Sequence, residues 1–339
     1  MATTGPVVHV FSWVKGLAAN LRSKCPSLQV KEIKIPPRFV SSKQQLEEES
    51  LKDLREAEVL VVCSQSVEAF DVLYEIKNAK WVMSAWAGVD GIMKRIDPVK
   101  GPPDFTLTRF AGVAGPHITE YVIGHIIGHE RKFSETMTAQ KENRWAGEQV
   151  RYYRRLSSLS LGIVGYGDIG FHIAKAAKFF GMKVYGMGRR ETISGEKAEV
   201  VDKYIPITRL SEMLAECDYV CNILPSTQET KGLFNGETFK PCQAKKSVFI
   251  NVGRGDVVSP ESVIRAVDEG WLEHAILDVY EVEPLPETSP LWKHPNITLT
   301  PHIACTSFSD EVADVFLDNY ARFVKGEPLK FVVDWKSEY

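Results

Sequence analysis

The stretch Leu159-Ser160-Leu161-Gly162-Ile163-Val164-Gly165-Tyr166-Gly167-Asp168-Ile169-Gly170 decides the fold. Its first half is a short apolar run with the character of a buried strand. Its second half is a G-x-G-x-x-G string, and the helix-like segment 171–180 follows. Each glycine has a separate use. Gly165 permits a tight turn, Gly167 lets backbone approach a pyrophosphate, and Gly170 lets helix and strand pack closely. The helix start then presents free N–H groups and partial positive charge to phosphates. The string alone is weak evidence, but between a strand and a helix it reads as a dinucleotide seat. Gly165, Gly167, Asp168, Ile169 and Gly170 are therefore candidate cofactor contacts. Asp168 is an acid beside an expected anion. An outward side chain, with only its N–H facing phosphate, would reconcile the two.

Downstream, the next strand ends at Tyr185-Gly186-Met187-Gly188-Arg189-Arg190. Sites that prefer NAD usually carry an acid here, accepting hydrogen bonds from ribose hydroxyls. This chain has none before Glu191. Gly188 leaves room, and Arg189 and Arg190 supply charge for a 2′-phosphate. NADPH is the expected cofactor, with NADH the other candidate. A solvated loop is the competing reading of the two arginines.

Further outward, apolar runs alternate with helix-like segments. The strand candidates are 7–11, 59–62 and 81–84, then 159–164, 183–185, 219–223, 247–251, 275–278 and 297–299. Helical patterns are read at 44–55, 117–131 and 310–324, with Gly115-Pro116 as a break. Trp13, Val14, Leu17 and Leu21 also fall at helical spacing, and Glu47, Glu48 and Glu49 read as a solvated helix face. Such alternation argues for open parallel sheets flanked by helices.

The chain has 339 residues, enough for about two domains. With 44% hydrophobic and 25% charged residues it is not a wholly disordered chain. A net charge of -3 gives no broad basic surface, so no nucleic-acid partner is expected. No apolar run approaches the roughly 20 residues of a membrane helix. Residues 1–8 do not read as a signal peptide. The triplet Ser337-Glu338-Tyr339 is not a peroxisomal address. Six scattered cysteines form no C-x-x-C pair, which argues against a disulfide framework or structural zinc. A cytoplasmic location is the default. His125 and His129 are four apart on a helix, but no third ligand is apparent, so no metal site is expected.

Three segments fall at predicted strand ends, where open parallel sheets bind ligands. They are Asn251-Val252-Gly253-Arg254-Gly255-Asp256, Asp278-Val279-Tyr280-Glu281-Val282-Glu283-Pro284 and Thr300-Pro301-His302-Ile303-Ala304. An arginine, a carboxylate and a histidine thus come to one sheet edge.

With Ala87-Gly88-Val89-Asp90, Leu224-Pro225-Ser226-Thr227, Thr230 and Ser289-Pro290-Leu291-Trp292-Lys293-His294-Pro295 added, the chain resembles the D-isomer-specific 2-hydroxyacid dehydrogenase family. The resemblance covers nearly its whole length. The Trp292 segment and the Gly-Arg-Arg loop are most similar to glyoxylate/hydroxypyruvate reductases. The resemblance implies two α/β domains with open parallel sheets. A Rossmann-type dinucleotide-binding domain, residues 111–303, would be inserted into a flavodoxin-like substrate domain, residues 1–110 and 304–339. It implies reduction of small 2-oxo acids such as glyoxylate or hydroxypyruvate. Arg254 would bind the oxo acid. His302 would be the general acid, and Glu283 would orient it. Ala87 and Gly88 N–H groups would hold the substrate carboxylate, with Trp292 walling the pocket. Leu224, Pro225, Thr230, Val252 and Gly253 would line the dinucleotide, and Asp278 would touch its nicotinamide end. A homodimer is implied, and Ile118, Val122, Ile126 and Ile127 are expected to bury against the second subunit. The alternative is a dinucleotide-regulated binding protein, like the C-terminal-binding transcriptional corepressors of the same fold.

Overall fold

The computed structural model describes residues 5–37 and 46–336. Gln44, Gln45 and the triplet Ser337-Glu338-Tyr339 lie outside them. The chain forms two compact units, Met1–Val113 with Ser307–Tyr339, and Ala114–Thr306. The boundaries expected from the sequence fall three residues earlier at each crossing.

The first unit holds β1 (Val8–Phe11), β2 (Val30–Glu32), β3 (Val59–Val62), β4 (Trp81–Ser84) and β5 (Thr106–Arg109). All pair in parallel, in the order β2-β1-β3-β4-β5. That is the flavodoxin-like order. β1, β3 and β4 are buried along their whole length, as valine-rich strands covered on both faces must be. The helices Leu17–Lys24 and Ser309–Lys325 cover one face, where Trp81 stacks on Phe316 at 4.9 Å between ring centroids. The helices Glu48–Glu56 and Ser64–Phe70 cover the other. Glu47, Glu48 and Glu49 are exposed.

The second unit holds β6 (Ser160–Val164), β7 (Lys183–Gly188), β8 (Lys203–Pro206), β9 (Tyr219–Asn222), β10 (Ser247–Asn251), β11 (Leu272–Leu277) and β12 (Ile297–Leu299). The parallel sheet runs β12-β11-β10-β9-β6-β7-β8. Counted within the unit, this is the Rossmann order with one further strand at the end. The order reverses between β6 and β9, so the loops after these strands flank the switch point where such sheets bind ligands.

Among the described residues, three strands have no counterpart among the sequence candidates. β2 and β8 are edge strands carrying Lys31, Glu32 and Lys203, and β5 alternates Thr and Leu before Arg109. Short polar strands pair because the sheet offers a partner edge, not because of their own hydrophobicity.

The long helix spans Ala114–Glu130, so Gly115-Pro116 lies inside its first turn rather than before it. Proline is tolerated there because the first N–H groups have no intrahelical acceptor. Gly115 permits close packing on the helix Asp168–Phe179, since a Cβ would lie 2.5 Å from the His172 ring. Ile118, Val122 and Ile126 are buried in this unit's own core, among Ile173, Ala174 and Ala177. They are therefore not a free face awaiting a second subunit. The polar segment after this helix itself forms the helix Phe133–Lys141. Among the described residues, no helix is long and apolar enough to cross a membrane.

Candidate active site

The glycine loop follows β6 directly. Gly165 has φ +103°, a region L side chains avoid, and its N–H donates to Met187 O at 3.0 Å. A Cβ there would lie 3.0 Å from the Ile223 backbone, so the loops after β6 and β9 approach as closely as glycine allows. A Cβ on Gly170 would lie 3.0 Å from Gly165 O and from Ile163 Cγ2, which accounts for the third glycine. At Gly167 the nearest atom to an added Cβ is Gly165 O, at 4.0 Å. Gly167 and Asp168 are both exposed. The middle glycine therefore faces open space at the start of the helix Asp168–Phe179. That is the space a pyrophosphate needs, with the first-turn N–H groups pointing toward it. Asp168 is exposed in the first turn, where a negative side chain suits the helix dipole. Ile169 is half-buried against the core.

Gly188 ends β7, and Arg189 and Arg190 are exposed beyond it. Tyr204 lies below this turn. Its hydroxyl would sit 2.8 Å from a Cβ on Gly188, and it hydrogen-bonds the Arg190 backbone. Burial raises the phenol's pKa, against the opposing charge of Arg190. On the β9 side, Leu224 is buried, and Thr230 donates to Pro225 O at 2.6 Å. Thr230 Oγ1 also accepts from the Thr227 N–H at 2.8 Å, so this side chain pins the turn from within. Val252 is 7% exposed, and Gly253 lies flat against Leu224, whose carbonyl would be 2.6 Å from an added Cβ. The side chains of Asn222 and Asn251 join at 2.9 Å and tie β9 to β10 beneath these loops.

Arg254, Glu283 and His302 follow β10, β11 and β12, which are neighbours in the sheet. His302 Nδ1 lies 2.7 Å from Glu283 Oε2. Glu283 Oε1 accepts from the Tyr280 N–H at 3.0 Å, so its head is held at both oxygens. Burial opposes ionisation of Glu283. The His302 hydrogen bond and charge, the Tyr280 N–H and the Arg254 charge outweigh it and hold the carboxyl below its usual range. Arg254 is half-buried; its Nη1 donates to Gly253 O at 2.8 Å, and its own carbonyl accepts from Asn251 Nδ2 at 3.0 Å. With Nδ1 engaged by Glu283, His302 has Nε2 left for a ligand. Its ring is 45% exposed, which makes that nitrogen reachable.

Asp278, the residue expected at the nicotinamide end, directly follows β11. It is 1% exposed, and its carboxylate is taken up by the His302 loop. Oδ1 accepts from Thr300 Oγ1 at 2.6 Å and the Ile303 N–H at 2.8 Å, and Oδ2 from the Ala304 N–H at 2.8 Å. It is the buried anchor of the turn that presents His302. Trp292 is 54% exposed, and its indole N–H donates to Pro286 O at 2.9 Å. Its nitrogen is thus spent within its own loop. Ala87 and Gly88 belong to the first unit, in the turn after β4. The carbonyl of Gly88 accepts from Ser64 Oγ at 2.9 Å and that of Ala87 from Arg109 Nη1 at 3.4 Å, which fixes the turn. Thr300 Oγ1, which donates to Asp278, also lies 2.6 Å from Tyr121 Oη, and neither residue carries a sequence signal beyond a helix face and a place beside Pro301-His302. Among the described residues no group of three or more His, Cys, Asp or Glu is arranged to hold a metal. His125 packs on Tyr121 and His129 on His274.

Residues 123–304 match the family profile of the D-isomer specific 2-hydroxyacid dehydrogenase NAD binding domain. The glyoxylate/hydroxypyruvate reductase A of Escherichia fergusonii is 30% identical over 262 residues, which cover 76% of this chain and 81% of that one. Among solved structures, a D-isomer specific 2-hydroxyacid dehydrogenase from Xanthobacter autotrophicus Py2, in complex with NADPH and MES, superposes with a TM-score of 0.83. It is 28% identical, with 98% of this chain and 99% of that chain covered. The NADPH-dependent glyoxylate/hydroxypyruvate reductase of Sinorhizobium meliloti, in complex with NADP and sulfate, gives a TM-score of 0.82 at 27% identity. There 99% of this chain and 100% of that chain are covered.

Proposed function

We propose, from the premise that the chain belongs to the D-isomer specific 2-hydroxyacid dehydrogenase family, that it reduces small 2-oxo acids of the glyoxylate and hydroxypyruvate type with NADPH. One observation carries this reading. His302 bonds Glu283 at 2.7 Å, close enough to Arg254 for the guanidinium charge to act on the carboxylate, at the carboxyl edge of a sheet with a glycine loop after β6.

Gly165, Gly167, Gly170 and the N-terminus of the helix Asp168–Phe179 would hold the pyrophosphate. Arg189 and Arg190 would meet the 2′-phosphate, with Leu224 and Val252 beneath the nicotinamide half. When bound, the reduced nicotinamide supplies the hydride. The protein supplies the rest. Arg254 binds the carboxylate and carbonyl oxygen of the oxo acid, since its planar fork of donors can hold two oxygens at once. The same charge stabilises the oxygen as it becomes negative. Glu283, kept ionised, fixes the tautomer of His302 by taking the Nδ1 proton in a hydrogen bond. His302 Nε2–H then protonates the carbonyl oxygen, an effect worth ~10²–10⁴-fold. The 2-hydroxy acid leaves, and His302 takes its next proton from water.

The test follows the absorbance of reduced nicotinamide with glyoxylate, hydroxypyruvate and pyruvate, each with NADPH and with NADH. Fastest oxidation of NADPH with one of the first two is expected. Tight NADPH binding with no turnover on any of the three would reject the reading. A homodimer is also proposed, supported by Phe133, Met137, Trp145 and Tyr152, each about half or more exposed. Light scattering at a monomer mass would reject it. The proposed compartment is the cytosol, where buried thiols such as Cys217, Cys221 and Cys242 stay reduced.

A further inference from the structure

His302 has φ +55°, in the left-handed region that favours glycine. Something must hold a histidine there. Its N–H donates to the Asp278 carbonyl at 2.8 Å, and the next two N–H groups donate to the Asp278 carboxylate. The turn is therefore wrapped around one buried acid.

Asp278 is held in turn by hydroxyls. Thr300 donates its only hydroxyl proton to Asp278 Oδ1 at 2.6 Å. Tyr121 Oη lies 2.6 Å from the same Thr300 oxygen. With the threonine proton already spent, the Tyr121 hydroxyl is the donor in that contact. A directed chain thus runs Tyr121, Thr300, Asp278, and ends on the backbone around His302. Burial raises the Tyr121 pKa well above its ordinary value, outweighing the lowering effect of the Thr300 contact and aided by the charge of Asp278, so the phenol keeps the proton it donates. Tyr121 lies on the helix Ala114–Glu130, whose residues Ile118, Val122 and Ile126 are buried in the core of this unit.

We propose that Tyr121 and Thr300 are positioning residues for His302, acting through Asp278 without touching substrate. The proposal rests on the reading of His302 as the proton donor. It makes the long helix, and not the loop alone, responsible for aiming the imidazole.

Thr300→Val keeps the shape and removes the donor. It is expected to lower kcat about tenfold, because small misplacements of a catalytic group are costly. KM for oxo acid and for NADPH should stay within about twofold. Thr300→Ser returns the hydroxyl and should recover most of kcat. Tyr121→Phe should cost only about threefold, since Thr300 still donates to Asp278. Histidine-selective ¹⁵N spectra of the same full-length proteins give a second readout, with His302 assigned from a His302→Ala sample. The His302 ring resonances should move in Thr300→Val and Tyr121→Phe and return in Thr300→Ser. Unmoved resonances in Thr300→Val overturn the proposal, as does a loss of kcat that serine does not restore. If the wild-type protein oxidised no NADPH with any 2-oxo acid, the reductase reading would fail. The resonance comparison would still decide the positioning claim.

Discussion

Gly255→Ala is expected to remove turnover while leaving the dinucleotide seat in place. An ideal Cβ on Gly255 would lie 1.9 Å from the Tyr280 carbonyl carbon and 2.3 Å from its Cα and oxygen. These are backbone atoms, so no rotamer change relieves the overlap. Ordinary contact begins at 3.4 Å, so the segments after β10 and β11 must separate by about 1.5 Å. Gly255 is buried, and Tyr280 is tied down at both ends: its hydroxyl lies 2.8 Å from Leu277 O, and its N–H donates to Glu283. The shift is therefore carried into Glu283, whose bond to His302 is 2.7 Å and does not survive a displacement of that size. A misplacement of this order costs roughly 10²-fold in rate. Overpacking should also cost about 1–3 kcal/mol of stability. The assay is kcat at saturating NADPH and oxo acid, alongside NADPH binding by fluorescence and a thermal melt. A variant with wild-type kcat and melting temperature would refute the reasoning. So would one that lost NADPH binding together with turnover, because the fault would then lie in the whole unit and not in the Glu283–His302 contact.

Three further outcomes are expected. Replacing both Arg189 and Arg190 with serine should raise KM for NADPH about tenfold or more and leave NADH nearly unchanged, because only the 2′-phosphate loses charge-assisted partners; equal losses with both cofactors would reject the assignment. Glu283 has a carboxyl held below its ordinary value of 4.5, so its contacts give stability that is complete above that pH and is lost as pH falls through the lowered folded value. The stability gap between wild type and Glu283→Gln should be full above pH 4.5 and close in stronger acid, and urea unfolding that shows the same gap in strong acid would contradict this. Phe249 is 0% exposed, with Phe239 at 4.8 Å and Phe234 at 5.1 Å between ring centroids. Phe249→Ala should therefore cost about 3–5 kcal/mol in urea unfolding, and a loss below about 1 kcal/mol would mean the cluster is not packed as described.

Residue order alone was enough for the parallel α/β class, for the glycine loop and for the Arg254, Glu283 and His302 segments. The reason is local. A strand buried on both faces must be a continuous apolar run, and a backbone at φ +103° must be glycine or nearly so. Such requirements leave marks in a few adjacent residues. Where they are absent the pattern is silent: β2, β5 and β8 are short and polar and owe their pairing to a neighbouring strand.

Other features existed only once the chain was folded. Ile118, Val122 and Ile126 are an apolar stripe in the sequence, and nothing in the stripe tells its own core from a second subunit; the helix Asp168–Phe179 settles it by packing there. Asp278 is an acid at a strand end, equally suited to a ligand or a loop. It becomes an anchor because the N–H groups of Ile303 and Ala304 and the hydroxyl of Thr300 arrive from the segment after β12. Tyr121 and Thr300 are 179 positions apart and meet at 2.6 Å. A hydrogen bond between side chains so distant in the chain leaves no periodicity and no spacing to read. Local requirements of backbone and burial are written in residue order, and partnerships across the sheet are decided by the tertiary structure that brings the partners together.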